Sequence, residues 1–153
     1  MTHPASDTDV LAQAVRARLA CLTELHKLGR RQMKFIEEGN VTGLLEVLSR
    51  KQRPLTMLQQ IEQVLSPYRD QDPAKRRWRQ PADREACAAD VRQCDELLQE
   101  IVAEEKRCES VLSRRRDEAA RRLQTFYTAG QAHGAYAAAA NEQIRLLDLF
   151  SGK

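Results

Sequence analysis

The residues best equipped for chemistry are four cysteines and three histidines, and their spacing decides what they can do. An even cysteine count suggests disulfides or a zinc site. Cys87, Cys94 and Cys108 stand at i, i+7 and i+21. On one continuous helix this puts Cys94 about 10 Å from Cys87 and Cys108 about 20 Å further on. No single metal ion reaches all three, and their shared phase places them on one stripe, where a reduced cysteine acts as a small apolar filler. His3, His26 and His133 are scattered, so no nucleophile, base and orienting group can be assembled from spacing. No Glu-x-x-His pair marks a metal-binding bundle, and the closing Ser151-Gly152-Lys153 lacks the glycine-rich loop and following helix of a phosphate site. The expectation is a protein without catalytic residues, metal or cofactor.

Two basic clusters could meet phosphates: Lys75, Arg76, Arg77 and Arg79 around Trp78, and Arg114, Arg115, Arg116, Arg121 and Arg122. Asp70, Asp72, Asp83, Asp117 and Glu118 interrupt both, and the net charge is only +3. A nucleic-acid footprint needs clustered charge of one sign. The expectation is therefore solvated arginines, with Trp78 folded inward over one end of the protein and nucleic acid not a partner.

These residues need a scaffold, and composition points to its class. Of 153 residues, 42% are hydrophobic and 31% charged, with aromatics at 5%, six Gly and five Pro, a balance that favours helix over sheet. The first residues, MTHPASDTDV, hold no apolar signal core, and no run of about 18 apolar residues occurs. An all-α cytoplasmic protein is expected.

Apolar residues from Val10 to Ile36 step by three and four behind N-cap candidates Ser6 and Asp7, predicting a helix over about 7–38 that ends at Gly39. Asn40 can cap a second helix over about 41–65, carrying Val41, Leu44, Leu45, Leu48, Leu55, Leu58, Ile61 and Leu65, with a kink near Arg50 or Lys51 from Pro54. Pro67, Pro73 and Pro81 punctuate an ordered connection with a short helix from Pro73 to Trp78. Pro81 opens a third helix over about 81–130, with a stripe of Cys87, Val91, Cys94, Leu98, Ile101, Glu105, Cys108 and Leu112. Beyond Leu112 the stripe must shift to Ala119, Leu123 and Phe126 to keep Arg115 and Arg122 out of the interior. The expected architecture is an elongated antiparallel helical bundle, or coiled coil, of three long helices over residues 1–132. Gly130 and Gly134 then loosen the chain before a separable C-terminal amphipathic helix over 133–153.

That tail closes on GAYAAAANEQIRLLDLFSGK. As a helix it puts Tyr136, Ala140, Ile144 and Leu147 on one face and Leu146, Leu149 and Phe150 on a neighbouring one. Burying three such side chains yields about 6 kcal/mol, the range of a reversible docking element. Two readings stay open: the tail caps its own bundle, or it docks on a partner. Membrane docking ranks behind both, because Arg145 and Lys153 are the tail's only cations.

The run LTELHKLGRRQMKFIEEGNVTGLLEVLSRKQRPLTMLQQIEQ resembles the flagellar export chaperones of the FlgN type. In that family a long helix ends at a Gly-Asn or Gly-Asp turn and a second continues with spaced leucines and a Lys-rich step. The matching positions are Leu28, Gln32, Ile36, Gly39, Asn40, Leu44, Leu45, Leu48, Lys51, Gln52, Leu55, Leu58 and Ile61, within residues 10–66. The resemblance implies a small cytoplasmic protein of type III secretion that holds hook-associated export substrates and delivers them to the export apparatus. It also implies that Tyr136, Ile144, Leu146, Leu147, Leu149 and Phe150, in the C-terminal region, bind the substrate. The alternative is a helical adaptor or scaffold that self-associates through the Cys87 to Leu112 stripe.

Overall fold

The structure, a computed structural model, describes residues 6–150, with the side chains of 147–150 excepted. It is all-helical: α1 (Asp7–Glu38), α2 (Val41–Arg69), a single 3-10 turn at Pro73–Lys75 and α3 (Pro81–Phe150). Contacts divide the chain into two units, Met1–Val111 and Leu112–Lys153.

In the first unit the helix ends are set by local chemistry. Ser6 Oγ accepts the Asp9 N–H at 3.3 Å while the Asp9 carboxylate accepts the Ser6 N–H at 3.4 Å, a reciprocal capping box that satisfies two otherwise orphaned donors. Gly39 stops α1 with φ of 69°, a left-handed conformation in which a side chain would be strained. Asn40 then accepts the Gly43 N–H at 2.9 Å and starts α2. These are the boundaries and caps that the sequence predicts.

Packing follows from α1. Its buried positions, from Leu11 through Leu22 to Ile36, sweep an arc of about 160° at 100° per residue. Two helices are needed to cover an arc that wide. At one end Leu11 and Val15 pack with Leu65 and Cys87; at the other, Met33 and Ile36 pack with Cys108. The three helices of this unit therefore alternate in direction, with α2 antiparallel to α1 and α3.

The inward strip of α2 matches the expected leucine stripe at Leu65, with Leu44 and Ile61 packed against the core, and departs from it elsewhere. Gly43, Val47, Lys51, Pro54 and Leu65 face inward, whereas Val41, Leu45, Leu48 and Leu55 are exposed. Leucine spacing identifies an apolar face, but the arc that meets α1 is chosen by close approach at Gly43 and by the Pro54 ring, which buries apolar surface where no N–H needs a partner. Likewise α2 runs past Leu65 and through Pro67 to Arg69, because Tyr68 packs on the core and its hydroxyl donates to the Asp7 carbonyl at 3.1 Å. The helix expected over Pro73 to Trp78 shortens to the turn at Pro73–Lys75, capped by Asp72.

On α3 the seam runs three-then-four rather than four-then-three. Cys87, Cys94 and Cys108 are buried and Ile101 half-buried as expected, but the other companions are Asp90, Leu97, Glu104 and Val111, all half-buried, while Val91, Leu98 and Leu112 lie on the exposed side. Asp90 and Glu104 hide this register from a reading based on apolar residues. Glu105, a member of the expected stripe, ion-pairs with the buried Lys51 of α2. In the second unit α3 continues through Gly130 and Gly134, where a break was expected. A glycine costs a helix about 1 kcal/mol relative to alanine, and the flanking alanines and glutamines are good helix formers.

Helix α2 approaches α1 so closely at Gly43 that a Cβ there would lie 2.7 Å from the Phe35 ring. Gly43→Ala should destabilise the protein by about 1–3 kcal/mol through overpacking, despite alanine's better helix propensity. Chemical denaturation checks this, and combining the change with Phe35→Leu should recover most of the loss.

Candidate functional site

The expected binding residues lie on α3 in the second unit. From Arg114 to Leu146 every side chain of α3 is exposed. Tyr136 is 79% exposed, Ile144 55% and Leu146 54%; Leu147, Leu149 and Phe150 have side chains outside the described residues. Ile144 stands 18 residues, or five turns, beyond Phe126 and shares its face; Leu146 points about 160° away from Ile144. The apolar surface thus wraps the helix instead of forming one narrow seam.

Sequence reasoning missed three members of this surface. Leu123, Phe126 and Tyr127 are 70%, 75% and 68% exposed, although a shifted seam was expected to carry Leu123 and Phe126 inward. The signal that could have identified them is the stretch just before. From Arg114 to Arg122 the only uncharged residues are Ala119 and Ala120, so charge falls on all sides of the helix and no face is left to bury.

Two side chains and one carbonyl of the basic cluster around Trp78 serve the fold. Arg76 donates to the Tyr68 carbonyl at 2.7 Å, the Arg77 carbonyl accepts from Thr8 Oγ1 at 2.9 Å, and Arg79 pairs with Asp9 at 2.7 Å. Trp78 packs, partly buried, against the cluster of Leu11, Val15, Leu65 and Cys87, the inward placement expected of it. Further along, Arg18 holds Glu62 at 2.8 Å, and His26 Nε2 lies 2.9 Å from Glu100.

Cys21, Cys87, Cys94 and Cys108 are all free and buried, and Cys94 donates its thiol to the Val15 carbonyl at 3.9 Å. Among the described residues no three metal-ligating side chains come together. Burial is the largest influence on each thiol and pushes it up; at Cys87 Asp90 adds to the rise, and Arg76 and Arg16 oppose it. These are protonated, unreactive sulfurs at neutral pH.

A thiol that holds its proton more tightly when folded contributes stability in full below its unfolded pKa and loses it as pH rises through the folded one. Melting temperature should therefore fall above pH 9.0, the ordinary thiol value. The fall should be shallower in Cys94→Ala, measured against its own value at pH 7. Ellman's reagent should label the native protein slowly and reach four thiols in denaturant.

No protein-family model matches the chain. Neither the curated proteins nor the solved structures contain a match to it.

Proposed function

We propose that the chain is a cytoplasmic export chaperone of the flagellar, type III secretion kind. It holds a helical hook-associated export substrate on the apolar surface of the C-terminal part of α3. In this reading the first unit is an antiparallel bundle that serves as the folded body, and residues 133–153 act as a separable binding helix. The reading joins the resemblance over residues 10–66 to one observation: bulky apolar side chains on α3 at Leu123, Phe126, Tyr127, Tyr136, Ile144 and Leu146 are all exposed. An amphipathic helix of an unassembled subunit offers a matching apolar face.

Gly130 and Gly134 support a loosely held helix. A Cβ at either would meet nothing within 4 Å, so close packing does not require glycine there. Their effect is to weaken the helix locally. Cavities and clusters of the kind an enzyme needs play no part in this reading, and no cofactor enters it. Among the described residues no helix is long and apolar enough to cross a membrane.

A second reading, an adaptor acting by self-association, draws on α2. Val41, Leu45, Leu48 and Leu55 fall at four- and three-residue steps about Gln52 and are exposed. That face would mediate association, since the cysteines of the Cys87 to Leu112 stripe are already buried within the first unit.

The deciding experiment mixes the purified full chain with a purified, unpolymerised hook-associated protein and measures binding by calorimetry. Ile144→Asp combined with Leu146→Asp should weaken capture at least tenfold and leave the melting temperature within about 1 °C, because both sites are exposed. Unchanged capture rejects the proposed surface. Absence of binding by the parent chain, together with a mass that doubles with concentration in sedimentation, selects the adaptor.

A further inference from the structure

A cavity of about 340 Å³ opens beside Trp78, where the connection after α2 meets the first turns of α3. Pro73 and Trp78 form one wall and Cys87, Ala88 and Val91 the other. The remaining lining residues are Arg76, Arg84 and Arg92; no acidic side chain lines it. Arg84, Ala88 and Arg92 follow one another at four-residue steps, so two guanidiniums flank an apolar step on one face of α3.

The charge here is uncompensated. Nearby arginines are occupied: Arg79 pairs with Asp9 and Arg18 with Glu62. By contrast, Arg84 and Arg92 have no ion pair or hydrogen bond among the described residues. Arg76 meets only the Tyr68 carbonyl, and its buried Nε has no acceptor. Three guanidiniums without a carboxylate, set around an apolar floor, make a site for a ligand that joins an anionic group to an apolar body. Guanidinium prefers planar two-oxygen acceptors.

We propose that this cavity binds a peptide segment of a partner protein in which an Asp or Glu directly precedes bulky apolar residues. The apolar side chain enters between Trp78 and Val91, and the carboxylate is held by Arg92, whose side chain leans back over Ala88, with Arg84 one further step along adding to the positive field. The volume lies at the low end for ligand sites, about 300–1,000 Å³, which suits one or two side chains better than a long acyl chain. The walls of Pro73, Cys87, Ala88 and Val91 present little to pair with the polar edge of a nucleobase, so the occupant is a peptide. This site belongs to the first unit and does not depend on the chaperone reading or on the apolar surface of the second.

Trp78 is the sole tryptophan and lines this cavity, so its emission reports binding here, and the arginine variant separates that signal from binding in the acidic cavity on the ring's other side. The full chain is titrated with a capped Gly-Asp-Leu-Phe-Gly peptide at low salt. The expected result is a saturable change in emission. Affinity should fall at least tenfold for the Asn-Leu-Phe and Asp-Ala-Ala analogues, and also for the double variant Arg84→Ala, Arg92→Ala. Both arginines are exposed, and circular dichroism should show the variant folded. Val91→Ala, at another exposed position, should weaken binding by removing part of the apolar wall while adding no charge beside the arginines. Four outcomes overturn the proposal: no saturable change with the parent peptide, equal affinity for the Asn analogue, full affinity in the folded arginine variant, or tighter binding of dodecanoate or a DNA oligonucleotide than of the peptide.

Discussion

The first unit depends on the width of the apolar arc of α1. A helix that packs on one neighbour needs an apolar stripe of about 100°, and α1 buries about 160°. One partner cannot cover that surface, so α2 and α3 both pack against it. Each then needs only a narrow inward strip, about 80° on α2 and about 60° on α3. That asymmetry explains why α1 buries large residues such as Leu22, Leu25 and Leu28, whereas α3 meets it with three cysteines. Small, polarizable side chains let the third helix lie close against a surface already crowded with leucine.

Close approach then sets the register. Phe35 occupies the space that a side chain at Gly43 would need, which fixes α2 next to the turn that begins it. Farther along, the buried Lys51 meets Glu105 and ties α2 to α3. Lys51 is buried while Glu105 reaches solvent, so a slipped register that parts them leaves the buried ammonium uncompensated, and the pair penalises such registers more than it adds stability. The opposite end is held by polar contacts instead. Thr8 to the Arg77 carbonyl, Tyr68 to the Asp7 carbonyl and Arg76 to the Tyr68 carbonyl pull the connection across the helix ends and seat Trp78 on the core.

Much of this was legible because it is local. Ser6, Gly39, Asn40 and Pro81 mark helix ends through single-residue chemistry, and the three-and-four steps of α1 are dense enough to identify its face. What was not legible depends on neighbours. The leucines of α2 show an apolar face, yet the inward strip follows Gly43, Lys51 and Pro54, residues that no hydrophobic count selects. The seam of α3 passes through Asp90 and Glu104, and the neighbouring reading through Val91, Leu98 and Leu112 looks more apolar while facing outward. Of the candidate binding residues, Tyr136, Ile144 and Leu146 are exposed, but the exposure of Leu123, Phe126 and Tyr127 became evident only once burial could be seen.

The two units solve the problem of helix stability differently. In the first, the cost of ordering three helices is offset by burial of their inward strips. In the second, α3 from Arg114 to Leu146 buries none of its side chains, so its stability rests on helix propensity. A run of alanines at 137–140 and long side chains nearby suit that role, but tyrosine, phenylalanine and isoleucine do not: they lower helix propensity and leave apolar surface in water. Residues that weaken an isolated helix and gain only when covered make sense where a covering surface is part of the working state. A helix that only had to stay solvated would be more stable if built from glutamate, lysine and alanine alone.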